Sequence, residues 1–178
     1  MTSVKVAVRV RPFNQREISL GSNCCIKMEG DTTSITDPHS GVTKKFTFDY
    51  SYWSHDGFKE DENGIFIPDS PMSKYASQKM VFDDLGIDVL DNAFDGYHTC
   101  LFAYGQTGSG KSYSIFGYNK NIGIIPMACL EIFKRIEDLT KAAAESGEKA
   151  TMNEEGTGFM AGNKKFEVTV SMLEIYNE

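Results

Sequence analysis

A chain of 178 residues, of which 40% are hydrophobic and 24% charged, is long enough for one domain with a sizeable core. Its 18 basic and 25 acidic residues give a net charge of −7, which argues against binding of nucleic acid or of an anionic membrane surface. No stretch approaches the about 20 apolar residues of a membrane span, and the four cysteines have neither CxxC nor metal-like spacing, so we expect a soluble cytoplasmic protein with reduced thiols and no membrane insertion.

The first part of the chain predicts short strands. Valines alternate with other residues from residue 4 to residue 10, and Pro12 ends the run because proline cannot donate to a ladder. Arg9 and Arg11 therefore share a face at the end of the predicted strand. Further β-prone runs follow at residues 26–28, 33–36 and 46–50.

The hydrophobic period changes in the middle of the chain. Residues 56–73 mix acidic residues with glycine and proline and predict a loop or insertion. From about residue 75 a helix is predicted, because apolar residues recur four apart at Val81, Leu85, Val89 and Ala93. Residues 99–104 form a short apolar run bounded by glycines, as expected of a strand buried on both faces.

The last part predicts a helix, a loop and a strand. A helix should begin near Gly110, break over residues 117–123 and resume with Pro126 in its first turn. Residues 145–164 predict a long polar loop, and residues 166–176 a strand. The buried face of the resumed helix would comprise Cys129, Ile132, Phe133 and Ile136. Strands that alternate with helices indicate an α/β fold with helices covering a sheet.

One segment carries a specific chemical signal. Residues 105–112 match the phosphate-loop pattern GxxxxGK[ST] without a mismatch, between a predicted strand and a predicted helix. Glycines let successive backbone amides point at an anion, and the positive end of the following helix adds to the attraction. Lys111 would stabilise phosphate charge and Ser112 would bind Mg²⁺. The predicted phosphate-binding residues are Gly105, Gln106, Thr107, Gly108, Ser109, Gly110, Lys111 and Ser112.

The motif alone leaves the class of protein open among motors, GTPases, kinases and AAA ATPases. Residues 119–122, the nearest candidate for guanine recognition, lack the aspartate of Asn-Lys-x-Asp and follow the loop too closely, which argues against a GTPase. No apolar strand ends in a persuasive Walker-B aspartate.

Five ordered motifs, spread over the whole chain, resemble those of a kinesin motor domain. Residues 51–54 and 75–78 are similar more narrowly to the kinesin-3 class. The five are the first strand with its RxRP ending at 4–14, the second strand at 46–50, the phosphate-loop signature at 101–113, Gly-Ile-Ile-Pro at 123–126, and Leu-Glu-Ile-Tyr-Asn-Glu at 173–178.

The resemblance implies a P-loop NTPase-type α/β fold, with three layers and helices on both faces of a sheet. It implies ATP and Mg²⁺ as cofactors, with Arg9, Arg11 and Pro12 against the adenine and Tyr113 beside the base. It also implies a cytoskeletal parent protein, with a coiled coil, whose motor domain couples ATP hydrolysis to movement along microtubules.

The sequence also departs from the family pattern. Residues 56–73 and 145–164 exceed the usual family loops and are interpreted as surface insertions. The serine-rich switch I, the DxxGxE switch II, the main microtubule-binding elements and the neck come later in the family and are not found in these 178 residues. We therefore interpret 1–178 as the N-terminal portion of a motor domain that lacks a complete catalytic set and turnover of its own, with microtubule binding through the C-terminal half.

One further expectation concerns stability. Strand 99–104 would lack its family neighbours and expose apolar groups, so the fragment should be only marginally stable.

Two other functions are the alternatives to part of a microtubule motor. One is a non-catalytic nucleotide-binding fragment, and the other is an unrelated P-loop transferase or AAA ATPase, which only the loop supports.

Overall fold

The computed structural model describes residues 4–147, 150–152, 158–161 and 164–175. Its strands are β1 (Ala7–Val10), β2 (Ile26–Glu29), β3 (Thr32–Thr36), β4 (Thr43–Thr47), β5 (Tyr50–Trp53), β6 (Phe58–Glu60), β7 (Phe66–Pro68), β8 (Gly117–Tyr118), β9 (Asn121–Ile122), β10 (Ala150–Met152), β11 (Gly158–Ala161) and β12 (Lys164–Glu167). Its helices are α1 (Gln15–Ser19), α2 (Gln78–Val81), α3 (Ile87–Phe94), α4 (Lys111–Ile115) and α5 (Ile124–Glu145), with a π-helical turn, Phe82–Gly86, between α2 and α3. Among these described helices, none combines the length and apolar character needed to cross a membrane.

A parallel pair of strands, β1 and β5, leads directly into the Arg-x-Arg-Pro motif. The register runs from Ala7 opposite Tyr50 to Val10 opposite Trp53. The strand predicted over residues 4–10 thus begins only at Ala7. The strand predicted over 46–50 is divided between β4 and β5, because the side chain of Asp49 accepts a hydrogen bond from the Val6 N–H at 2.7 Å and the ladder changes partner there.

An antiparallel sheet, β2–β3–β4, confirms the runs predicted at 26–28 and 33–36. Met28 and Thr33 lie opposite each other and are both buried, whereas every residue of β4 is exposed. The sheet therefore has a covered part and a solvated edge, as antiparallel sheets commonly do.

Residues 56–73, for which the sequence predicts a loop or insertion, contain a hairpin of β6 and β7. Its turn is closed by the Asp61 side chain, which accepts from the Asn63 and Ile65 N–H groups. Aromatic contacts explain why the segment is ordered. The Phe58 ring lies 5.1 Å from the Phe66 ring and 5.0 Å from that of buried Tyr75, centroid to centroid.

The helix predicted from about residue 75 is present, but its predicted buried face is only partly right. Val81 is buried, whereas Leu85 and Val89 are half-buried and Ala93 is exposed. Val81 shares the buried face of this segment with Gln78, Phe82, Gly86 and Leu90. A π turn holds more residues than an α turn, so it moves the later residues off the stripe that a regular helix would bury.

Residues 99–104 are not a strand in this structure, contrary to the sequence prediction. In the described residues no strand pairs with this segment, and the side chains of Phe102 and Tyr104 are 80% and 95% exposed. A ladder forms only when both strands are present to exchange N–H and C=O bonds, so an apolar composition is not sufficient.

Residues Ala128–Glu178 form a second unit by their contacts. The resumed helix is confirmed as α5, and its predicted buried face is confirmed in part. Ile136 is 2% exposed, as predicted, while Phe133 is 44% exposed and Cys129 is exposed. A helix buries only the stripe that its neighbours cover, and the spacing of apolar residues does not show how wide that cover is.

The structure also differs from the last two sequence predictions. The stretch 145–164, predicted as a loop, contributes to the antiparallel sheet β10–β11–β12 where it is described, and its other residues lie outside the described ones. β11 pairs antiparallel with β10 and with β12, both close to it in sequence, and a polar composition does not exclude such pairing. The strand predicted over 166–176 is confirmed only to Glu167, and residue 176 lies outside the described residues.

Substitution of Gly117 tests the turn after α4. Gly117 has φ +89°, and a Cβ there would collide with backbone atoms of Asn121 and Gly123. We expect Gly117→Ala to lower the free energy of unfolding by at least about 2 kcal/mol, since strain and collision add. The measurement is urea unfolding followed by Trp53 fluorescence.

Gly41→Ala is the matched control. Gly41 has φ +71° but open space around its Cβ position, so only strain of about 1 kcal/mol is expected. Equal losses in the two variants would contradict the close backbone approach at Gly117.

Candidate functional site

Three glycines shape the loop at residues 105–112. Gly105, Gly108 and Gly110 have φ values of 152°, 79° and 98°, a region that residues with side chains rarely adopt. The Ser109 N–H donates to the Gln106 carbonyl at 3.1 Å and closes a turn. The octapeptide is therefore curled, and its residues 105–108 are exposed.

Lys111 begins α4, and its ammonium group folds back over the loop. Its Nζ lies 2.8 Å from the Gly105 carbonyl oxygen and 2.9 Å from that of Gln106. Within the described residues, the N–H groups of Gly108, Gly110 and Lys111 donate to no protein oxygen. The loop thus combines one ammonium with free backbone amides, a donor set that suits phosphate oxygens.

The hydroxyl group of Ser112 lies in the first turn of α4 and is exposed. A hydroxyl oxygen in this position is a ligand that Mg²⁺ accepts together with phosphate oxygens. Because α4 has five residues, the free amides of its first turn supply the attraction for an anion, rather than a long stack of peptide dipoles. The other predicted loop residues, Gln106, Thr107 and Ser109, lie in the same turn.

Arg11 ties the end of β1 to this loop. Its Nε donates to the Gly108 carbonyl at 2.6 Å, and its Nη1 to the carbonyl of Pro12 at 2.6 Å. Both Nη atoms also donate to the Glu17 carboxylate, each at 2.7 Å. This bidentate pair lowers the pKa of Glu17 to about 2 and raises the pKa of Arg11. Pro12 itself is exposed.

Arg9 lies in a polar cluster next to the same loop. Its Nε donates to Ser54 Oγ at 2.9 Å, and its Nη1 donates to Gln78 Oε1 at 2.6 Å and to Ser114 Oγ at 3.0 Å. Burial lowers the pKa of Arg9. A guanidinium group removed from water needs such partners, because an unpaired buried charge is strongly unfavourable.

The Tyr113 ring covers this cluster. Its centroid lies 5.4 Å from the Arg9 guanidinium carbon, within cation–π distance. Burial raises the pKa of Tyr113, although Arg9 opposes the shift, and burial raises the pKa of the neighbouring Tyr75 to about 12. The structure therefore brings Arg9, Arg11 and Tyr113 together around residues 105–112, and their contact with a base stays a prediction.

Sequence reasoning missed the partners of the two arginines. Glu17 had a readable signal, since it follows Asn14 by three residues and forms a capping box with reciprocal bonds of 2.8 Å. Gln78 belongs to the Tyr-Ala-Ser-Gln run that resembles the kinesin-3 class. Nothing in its spacing indicates that its amide is buried against Arg9.

Comparison with known proteins places these features in a family. The family model "Kinesin motor domain" matches residues 9–178. "Kinesin-like protein KIF28" of Rattus norvegicus is 50% identical over 177 residues, covering 99% of this chain and 15% of that protein. "Kinesin-like protein KIF1A" of Rattus norvegicus is 45% identical over 180 residues, covering 99% of this chain and 9% of that protein. The chain therefore spans less than one fifth of the length of these curated relatives.

A solved structure is also similar. "KIF14[391-755] - ADP in complex with a microtubule" matches with a TM-score of 0.65 and 41% identity, over 76% of this chain and 34% of that chain. These matches confirm the α/β fold of P-loop NTPase type and the resemblance on which the sequence prediction depended.

The carboxyl group of Glu17 provides a test of the Arg11 tether. Its pKa should be about 2, against an ordinary value of 4.5, and Arg11→Gln should raise it toward the ordinary value by removing the main cause of the shift. The measurement is an NMR titration of the side-chain carboxyl carbon, with Arg16→Gln as the control. A Glu17 pKa that Arg11→Gln leaves unchanged would contradict the geometry.

The same pair predicts a dependence of stability on pH. Because the pKa of Glu17 is lower in the folded state, the pair stabilises fully above about pH 4.5 and loses this effect as the pH falls toward 2. Between these values the wild-type protein should lose more stability than Glu17→Gln in urea unfolding.

Proposed function

Since this chain belongs to the kinesin motor domain family, we propose that residues 105–112 bind the triphosphate of ATP. The observation that carries the proposal is the donor set of the loop, in which the Lys111 ammonium and the free amides of Gly108 and Gly110 belong to one turn whose residues 105–108 are exposed. The helix α4 begins at Lys111, directly after this turn, which agrees with the helix side of the phosphate-loop pattern.

Each loop residue has a role in the proposal. Lys111 stabilises phosphate charge, and it can exchange its two carbonyl partners for phosphate oxygens by a side-chain rotation. Ser112 holds Mg²⁺, which when bound neutralises part of the triphosphate charge. Gln106, Thr107 and Ser109 contribute backbone to the turn around the phosphates.

Adenine would lie beside the loop, against Arg9, Arg11, Pro12 and Tyr113. Both arginines donate their hydrogen bonds to acceptors of the protein itself. Arg9 donates to Ser54, Gln78 and Ser114. Arg11 donates to Gly108 and Glu17. They would therefore flank the base through the flat side of the guanidinium group rather than by hydrogen bonds.

For the whole protein we propose an ATP-driven motor that moves along microtubules within the cytoskeleton. The support is the family membership together with the kinesin structure whose title describes a microtubule complex. The microtubule contact itself would come from a C-terminal half of the motor domain, in keeping with the family pattern of the sequence.

A second candidate is a nucleotide-binding module without turnover. It is favoured by the sequence of these 178 residues, in which neither a serine-rich switch I nor a DxxGxE switch II is found. Positioning the attacking water and sensing the γ-phosphate need such groups in addition to a phosphate cradle.

Substitution of Lys111 tests the phosphate loop. Lys111→Ala should weaken binding of fluorescent ATP with Mg²⁺ by about 10- to 100-fold, because a charge-assisted contact to phosphate is lost. The control is Lys44→Ala, which removes the same charge from the exposed strand β4. Equal affinity in Lys111→Ala and Lys44→Ala would remove the claim.

Phosphate release separates the two candidates for this chain. We expect the 178-residue chain to bind ATP but to show no microtubule-stimulated phosphate release, because it lacks the switch groups. Lys111→Ala serves as the blank. Stimulated release that this substitution abolishes would contradict the second candidate.

A further inference from the structure

The β6–β7 hairpin, residues 58–68, is fastened to the segment after the phosphate loop by a buried side chain. Asn121 in β9 is 6% exposed, and its Oδ1 accepts from the Phe66 N–H at 2.8 Å. Its Nδ2 donates to the Gly64 carbonyl at 3.0 Å. One amide thus satisfies two backbone groups of the hairpin, and neither contact is replaceable by an apolar side chain.

On one side of the hairpin, the Phe58 ring contacts the rings of Phe66 and Tyr75. On another side, a cleft of about 610 Å³ opens between the hairpin and α2, and its lining includes Ile67, Met80 and Ile122. The Asn121 bonds therefore determine where the hairpin meets the β8–β9 turn.

The chain of hydrogen bonds continues inward through Gln78. Gln78 is 7% exposed, and its Nε2 donates to the carbonyl oxygens of Tyr113 at 2.6 Å and Asn121 at 3.4 Å. Its Oε1 accepts from Arg9 Nη1 at 2.6 Å. A single buried amide thus joins β9, the α4 backbone and the β1 arginine.

This series of contacts ends at residues proposed to contact the base, not at residues proposed to bind the phosphates. Arg9 bonds Ser114 and lies under the Tyr113 ring. The Lys111 ammonium bonds only carbonyls of its own loop among the described residues. The hairpin and the phosphate cradle are therefore held by separate sets of contacts.

We propose that Asn121 is a positioning residue through which the β6–β7 hairpin sets the recognition of the nucleotide base. The inference rests on the proposed function, since it takes residues 105–113 as a nucleotide site. Asn121 acts through Gln78 on the placement of Arg9 and Tyr113. Loss of the Asn121 side chain should therefore weaken binding of the base and leave the affinity for the phosphates unchanged.

The test compares two ligands that differ in the base: ATP and inorganic tripolyphosphate, each with Mg²⁺. Calorimetry is carried out on the longest natural polypeptide that contains these 178 residues. Asn121→Ala should weaken ATP binding at least fivefold and change tripolyphosphate binding less than twofold. Lys120→Ala, in the same turn but exposed, should leave both affinities within twofold of wild type.

A second variant guards against misfolding of Asn121→Ala. Asn121→Asp keeps the acceptor for the Phe66 N–H and loses the donor to the Gly64 carbonyl, so it should shift the ratio of the two affinities in the same direction. Thermal melts of each variant identify those that remain folded.

The outcomes separate the two claims. If the folded variants bind ATP and tripolyphosphate more weakly by the same factor, or if the binding of neither ligand is weakened, Asn121 is a structural residue and the inference fails. If the wild-type protein binds neither ligand, or if Lys111→Ala binds both normally, the proposed nucleotide site itself fails.

Discussion

Cationic side chains that bond the carbonyl groups of the phosphate loop are the interaction on which the rest of the site depends. The Lys111 ammonium donates hydrogen bonds to the carbonyls of Gly105 and Gln106, and the Arg11 guanidinium donates one to the carbonyl of Gly108. A tight turn cannot offer both its N–H and its C=O groups to one ligand. Because the carbonyls are bonded by cations, the amides remain available to an anion, and the local charge favours its approach.

The same constraint explains why Arg11 needs Glu17. An arginine that bonds the loop would add further positive charge beside it, but the bidentate carboxylate fixes the guanidinium plane and balances its charge. The capping box that Glu17 completes with Asn14 holds the carboxylate at the start of α1. Local helix chemistry thus determines the geometry of a group that touches the site.

Arg9 follows a different rule, that of a buried charge. Hydroxyl groups, an amide oxygen and a tyrosine ring from three separate segments surround it, and these partners make its burial tolerable. Such a cluster requires all of its segments at once. It therefore couples β1, the end of β5 and α4 to the helix that begins at Gln78. Through Asn121 it reaches a hairpin in the segment that sequence reasoning interpreted as a loop or insertion.

The sequence by itself determined the features that depend on local chemistry. The glycines of the phosphate loop, the helix after Gly110 and its break at Gly117 could be predicted, because positive φ angles and free amides are requirements of a few neighbouring residues. Tertiary structure alone decided the features that need a partner from elsewhere in the chain. Residues 99–104 are apolar enough for a buried strand, yet no strand in the described part of the chain pairs with them, since pairing depends on which backbone lies alongside. The burial of Gln78 and Asn121 was equally invisible to sequence reasoning, because an amide is buried only where distant groups converge to bond all of its atoms.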